Sequence, residues 1–361
     1  MKRREFIGLS LAALTVPLLA SERRPLKILI LGGTGFIGPH QVETALGRGH
    51  EVTIFNRGKT APGLFPQVEQ LIGDRDDDLK ALEGRKWDAV IDNSGFVPRW
   101  VDQSARLLKG HVGHYMYLSS ISAYADTSVI GLNENSELRK LDDPKTEDTS
   151  GENYGGMKAL SEERVRQSFP EASTLVRSGL VVGSGDPTDR FTYWPARMHR
   201  GGNVLAPGSP DDPIQCIDVR DLAKWMLIAI EEKHYGTYNV TGPYHQMTMG
   251  EFLKTVQEST NSKATINWVP WKFLSSQKVR PWTELPLWVP PNSDLSGFVR
   301  IDNSKAIKAG LTFRPMSKTV RDALAWHRTV GKAGRTLKAG LSSEREVRLL
   351  GAWQASRAIR F

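Results

Sequence analysis

Cysteine is almost missing from the sequence: Cys216 stands alone among 361 residues. A single thiol excludes an internal disulfide and any cysteine-rich zinc site, and no metal is expected. An excess of one charge sign is missing too. Lys and Arg number 48 against 40 Asp and Glu, a formal charge of +8. Spread over this length, that excess is no basis for a nucleic-acid partner. Low-complexity tracts and short internal repeats are absent. With 39% hydrophobic and 24% charged residues, the composition excludes a disordered or collagen-like chain. The length suits one large domain or two ordinary ones.

What is present begins with an N-terminal address. Lys2, Arg3 and Arg4 precede an apolar stretch from Gly8 to Ala20. That stretch falls short of the roughly 20 residues a bilayer span needs, but suits a signal segment. Arg3-Arg4-x-Phe6-Ile7 looks like a twin-arginine export signal. The expectation is a removable leader over 1–20, periplasmic or other extracytoplasmic residence, and no further membrane contact. Leu18 is a poor residue for the cleavage site that Ala20 would end.

Short apolar runs then alternate with helical patterns. Lys27–Leu31, Glu51–Phe55, Val68–Ile72, Asp88–Ile91 and His114–Leu118 read as strands, and 37–48 reads as a helix. Such alternation predicts βαβ units and a Rossmann-type, doubly wound parallel sheet. Three regions are expected after the leader. They are a dinucleotide-binding domain over 26–185, a smaller substrate-binding region over 186–330 that returns some elements to the first domain, and a helical tail over 331–361.

The first chemical signal is Gly32-Gly-Thr34-Gly35-Phe36-Ile37-Gly38, placed between a strand and a helix. Glycines allow a tight turn against a pyrophosphate, and the helix N-terminus offers free N–H groups. At the end of the second strand, Asn56-Arg57-Gly58-Lys59 stands where a carboxylate would accept from the ribose hydroxyls of NAD. Arg57 and Lys59 suit a 2′-phosphate, so the cofactor is NAD or NADP, with NADP favoured. Arg57 could also stack on adenine. Asp74 is a candidate acceptor for the adenine amino group, or a turn residue. Ser94, within Asn93-Ser94-Gly95-Phe96, joins the cofactor-facing set.

The second signal is Tyr154-Gly-Gly-Met-Lys158. The spacing puts phenol and ammonium on one helix face. An ammonium beside a phenol favours the phenolate, which can then move a proton. Upstream, His114-Tyr-Met-Tyr-Leu-Ser-Ser-Ile-Ser-Ala-Tyr124 is a strand ending in serines.

With Cys216-Ile-Asp218-Val-Arg220-Asp221-Leu-Ala added, these pieces resemble the extended short-chain dehydrogenase/reductases, the NAD-dependent epimerase/dehydratase family, over residues 27 to about 330. Arg57-Gly58 and Asp186-Pro-Thr-Asp-Arg190 resemble an atypical branch, which includes isoflavone-reductase-like, epimerase-like and chloroplast stem-loop RNA-binding proteins. The resemblance implies that Ser120, with Ser122 as fallback, hydrogen-bonds the reacting oxygen. It implies that Tyr154 is the acid/base and that Lys158 holds the nicotinamide ribose and lowers the phenol's pKa. It further implies a strand over Leu175–Val181 and a homodimer through paired helices. Gly155-Gly156 inside the motif is a departure, costing about 1 kcal/mol of helix propensity per residue.

The substrate half is rich in Pro, Gly and Trp. Ser122, Arg190, Trp194 and Arg220 are its candidate substrate contacts, the arginines for a phosphate or carboxylate. Trp268, Trp271, Trp282 and Trp288 offer either stacking faces or core. Arg197, His199 and Arg200 are weaker candidates on a helix expected to be exposed. Leu341-Ser-Ser-Glu-Arg-Glu346 predicts a capped tail helix to about Trp353, packed on the body. The implied function is an NAD(P)-dependent epimerase or dehydratase acting on a sugar or related hydroxyl compound with a tightly held cofactor. The alternatives are an NADPH-dependent reductase of a ketone or phenolic compound, and an RNA-binding or scaffolding protein that keeps the fold.

Overall fold

The computed structural model describes residues 24–329 and 336–358. The twin-arginine motif and its leader lie outside the described residues. No described helix is long and apolar enough to cross a membrane.

The first half alternates as its apolar periodicity requires. It runs β1 (Lys27–Leu31), α1 (Gly38–Gly47), β2 (Glu51–Asn56), β3 (Glu69–Ile72), β4 (Trp87–Asp92), α2 (Pro98–Leu108), β5 (Val112–Ser120), α3 (Gly151–Ser168) and β6 (Ser173–Ser178). Then come β7 (Val181–Val182), α4 (Tyr193–His199), β8 (Asn203–Pro207), β9 (Pro213–Ile214), β10 (Ile217–Asp218), α5 (Val219–Glu231), β11 (Gly236–Val240) and β12 (Met247–Thr248). The last elements are α6 (Met249–Ser259), β13 (Thr265–Val269), α7 (Trp271–Ser276), α8 (Ser304–Lys308), α9 (Met316–Thr329) and α10 (Ser343–Ala358).

Seven strands pair in parallel in the order β11-β6-β5-β4-β1-β2-β3. This is the expected doubly wound sheet. Ile28, Leu29, Ile30 and Leu31 are fully buried because both sheet faces are covered. One face packs α1 and α5 through Val42, Ala45, Leu222 and Met226. The other packs α2 and α3 through Val101, Ala105, Leu108 and Val165. Strand order reverses between β1 and β4, and a cleft opens there, beyond the strands' C-terminal ends.

The strand expected over Leu175–Val181 divides in two. β6 ends at Ser178, where a Cβ on Gly179 would overlap Thr241, and β7 pairs separately with β10. The second half has its own apolar core around Phe191, Trp194, Phe252 and Trp288. Two of its elements, α5 and β11, return to the first half's sheet and covering layer. The tail helix α10 does pack on the body. Glu346 is 2% exposed and bonds Arg197 Nε (2.5 Å) and the Leu205 amide (2.9 Å). Arg197, expected on an exposed face, is therefore a buried ion-pair partner.

A buried charged pair ties α3 to the sheet. Glu162 accepts from Arg177 Nε (2.9 Å) and Nη2 (2.8 Å) and from Ser119 Oγ (2.6 Å). Removing one member of such a pair strands the other charge. Glu162→Ala is therefore expected to lower unfolding free energy by about 3–5 kcal/mol, read from urea unfolding followed by circular dichroism.

Candidate active site

The glycine loop is shaped by contacts only glycine permits. Gly32 has φ +88° and donates its N–H to the Phe55 carbonyl (2.9 Å). A Cβ on Gly38 would lie 2.5 Å from the Gly33 carbonyl carbon, so the loop folds back onto the first turn of α1. No side chain caps that turn. Its free N–H groups border a cavity of about 430 Å³.

Gly32, Thr34, Gly35, Phe36, Ile37, Gly38, Asn56, Arg57, Lys59, Asp74 and Ser94 all line this cavity. Arg57 and Lys59 are exposed and make no ion pair among the described residues. Asn56 shapes the turn between them and β2, its Oδ1 accepting from the Gly58 amide (2.6 Å). Asp74 carries the turn role foreseen as its alternative, accepting from the Asp76 amide (3.2 Å), and it also borders the cavity. The donors, the tight cradle and the cationic rim fit a dinucleotide.

A second cavity of about 440 Å³ shares Phe36, Ile37, Asn93, Phe96 and Leu118 with the first. The two form one cleft. Ser120, Ser122, Tyr154, Lys158 and Arg190 border the second half. The three serines divide by their partners. Ser119 gives its proton to Glu162. Ser120 accepts from the Ser122 amide (3.1 Å), and its hydroxyl lies close enough to the Tyr154 phenol, on the wall of the same cavity, to favour the phenolate.

Lys158 is 3% exposed and donates to the carbonyls of Gly95 and Leu118, each at 3.0 Å. Its ammonium faces the rings of Phe96 (5.0 Å) and Tyr117 (4.9 Å). Burial lowers its pKa to about 8. Tyr154 departs from expectation. Burial raises its pKa above the ordinary phenol value, offset in part by Ser120 and the Arg190 charge. The ammonium is turned toward carbonyls and lies 5.9 Å from the Tyr154 ring centroid. It is not the main influence on the phenol here.

Two proposed substrate contacts lie elsewhere. Trp194 is fully buried in the second core, its indole N–H donating to the Pro286 carbonyl (2.8 Å). Arg220 bonds Asp218 (2.7 Å) and Asp322 (2.5 Å), clamping the start of α5 to α9. Arg190 does reach the cleft. Its Nε bonds Thr188 Oγ1 (3.1 Å), its guanidinium stacks 5.1 Å from the Trp282 ring, and it makes no ion pair among the described residues. Of the five named tryptophans, Trp282 alone lines this cleft, while Trp288 is core.

Sequence reasoning missed Arg75. It is buried at the cleft floor, paired with Asp92 (2.5 Å), and it also bonds Ser94 (3.2 Å). The signal was available, since a carboxylate ending the apolar strand Trp87–Asp92 needs a buried partner.

The pattern of the NAD dependent epimerase/dehydratase family matches residues 28–241. The chain belongs to this family. It is 27% identical over 263 residues to the human epimerase family protein SDR39U1, covering 67% of this chain and 83% of the relative. A structure of that human protein with NADPH superposes with a TM-score of 0.56 at 20% identity, covering 83% of this chain and 99% of the other. The UDP-Glc/GlcNAc 4-epimerase of Campylobacter jejuni gives a TM-score of 0.63 at 16% identity, with 84% and 99% covered. The chloroplast stem-loop binding protein of 41 kDa b from Arabidopsis thaliana is 27% identical over 236 residues, covering 60% of this chain and 58% of that protein. The family member is an NAD(P)-dependent enzyme of the epimerase or oxidoreductase type.

The buried ammonium works against folding below its shifted pKa, because the unfolded chain solvates the charge freely. Lys158→Met is therefore expected to unfold at an equal or higher urea concentration than the native chain at pH 7, while losing retained dinucleotide. Urea midpoints and mass spectrometry of denatured samples check the two halves.

Proposed function

We propose that the enzyme acts on a sugar or related hydroxyl compound, beginning and ending with the same cofactor redox state, as an epimerase or dehydratase. The observation that carries this reading is the single cleft that joins the glycine loop to Ser120, Tyr154, Lys158 and Arg190. A nicotinamide dinucleotide bound there would supply a reversible hydride acceptor. The Gly32–Gly38 loop and the α1 N-terminus would hold its phosphates, with Arg57 and Lys59 favouring the 2′-phosphate of NADP.

Tyr154 takes the proton of a substrate hydroxyl and later returns it. Ser120 is oriented for this step. Its oxygen accepts from the Ser122 amide, which leaves its own proton for the phenolate or the reacting oxygen. Lys158 orients the cofactor ribose and, with Gly95 and Leu118, fixes the floor between β4 and β5. Arg190 and Trp282 present a cation and an aromatic face to the substrate.

The Arg3-Arg4-x-Phe6-Ile7 motif supports export of the folded protein. Outside the cytoplasm, a released cofactor would not be replaced. Loading before export and retention through turnover then favour redox-neutral chemistry. Arg57 and Lys59 also favour a second reading, an NADPH-dependent reductase, which would consume external NADPH at each turnover.

Mass spectrometry of the purified, denatured protein is expected to find a dinucleotide, NADP in preference to NAD. Arg57→Asp should shift that preference toward NAD. Tyr154→Phe should keep the cofactor and lose about 10²–10⁴-fold in turnover of a hydroxyl substrate. Full activity would remove Tyr154 from the mechanism, and stoichiometric NADPH consumption would establish the reductase.

A further inference from the structure

Two glycines inside a catalytic helix oppose helix formation by about 1 kcal/mol each relative to alanine. Their surroundings give the reason. An ideal Cβ on Gly155 would fall closer than 3.0 Å to the Ser122 carbonyl oxygen, a backbone atom. A Cβ on Gly156 would meet the Leu141 side chain at 2.7 Å. The second turn of α3 is thus wedged between the 120–123 turn and Leu141.

The 120–123 turn has little room to retreat. Beside it, the Arg139 amide donates to the Ala123 carbonyl (2.8 Å), and the Ala125 amide donates to the Glu137 carbonyl (3.0 Å). The Tyr124 hydroxyl donates to Asn239 Oδ1 (2.6 Å). The same turn carries Ser120, whose oxygen is held by the Ser122 amide. Gly155 directly follows Tyr154.

We infer that Gly155 is a positioning residue: its missing side chain lets α3 seat against the Ser122 carbonyl, which sets the Tyr154 phenol beside Ser120 on the wall of one cavity. The inference deepens the acid/base reading of Tyr154 and names what holds the pair together. Because the Ser122 carbonyl is backbone next to residues 123–125, which these hydrogen bonds hold, a methyl group at 155 displaces the helix and separates the two hydroxyls. A methyl at 156 meets a flexible leucine side chain, which can yield.

The test needs no substrate. Protein labelled with ¹³Cζ-tyrosine gives a Tyr154 resonance, assigned by its loss in Tyr154→Phe. Ser120→Ala should move that resonance by removing the hydroxyl beside the phenol. Gly155→Ala should move it to the same place, and the double variant Ser120→Ala/Gly155→Ala should add no further shift. Gly156→Ala should leave it near its native position. If Gly155→Ala does not fold, Leu141→Ala/Gly155→Ala gives the helix room to back away, and the same displaced resonance is expected. A native-like resonance in either Gly155 variant overturns the inference. So does an unmoved resonance in Ser120→Ala, or a Gly155→Ala shift that is undiminished without Ser120. Dinucleotide content, measured separately, reports on the cofactor reading and leaves this comparison intact.

Discussion

The cleft depends on an ammonium group buried under it. Lys158 sits at 3% exposure, and its charge is tolerated because two carbonyls, Gly95 and Leu118, and two aromatic faces surround it. Those partners come from two places: the loop after β4, with Gly95 and with Phe96 at the junction of the two cavities, and the end of β5, with Tyr117 and Leu118. A charge left unsatisfied there would be prohibitive. The same contacts therefore hold α3 against the switch point and shape the floor on which a cofactor would lie. Tyr117 contributes twice, since its ring faces the ammonium and its hydroxyl donates to the Gly95 carbonyl (2.7 Å).

Around this centre lie paired charges that do no chemistry themselves. Glu162 and Arg177 lie beneath Ser119, and Arg75 and Asp92 lie beneath the first cavity. Each pair is buried and supplemented by neutral partners, such as Ser104 and Tyr115 for the second. Buried pairs of this kind add little net stability but strongly penalise rearrangement. Here they sit at the C-terminal ends of β4, β5 and β6, where the loops that face the cleft begin.

The sequence made the sheet and the glycine loop legible because both are local. Continuous apolar runs predict buried parallel strands, and Lys27–Leu31 appears with the bounds expected. The Tyr154–Lys158 spacing likewise fixes which helix face both residues share. Residues 186–300 were less legible because their roles depend on which partner the fold brings from afar. Arg190 and Arg220 look alike in the sequence. Arg220 meets Asp322 about a hundred residues later and becomes structural, whereas Arg190 meets Thr188 and the Trp282 face and remains open to the cleft. The tryptophans divide in the same way, Trp194 finding a distant carbonyl and Trp282 finding a cavity.

The phenol shows why a motif's chemistry cannot be taken from spacing alone. One helical turn brings Tyr154 and Lys158 to the same face, yet the ammonium is claimed by carbonyls at the C-terminal ends of β4 and β5. Burial then dominates the phenol and favours its neutral form. What offsets burial is the Ser120 hydroxyl and the guanidinium charge of Arg190, which comes from the second half of the molecule. A neutral tyrosine beside a cation suits a group that must both give and take a proton. The proton transfer proposed for it draws on its anionic form, which Ser120 and the Arg190 charge favour against burial. The two halves of the chain thus border one cavity: the first supplies the phenol and its serine, and the second supplies a guanidinium whose charge favours the phenolate.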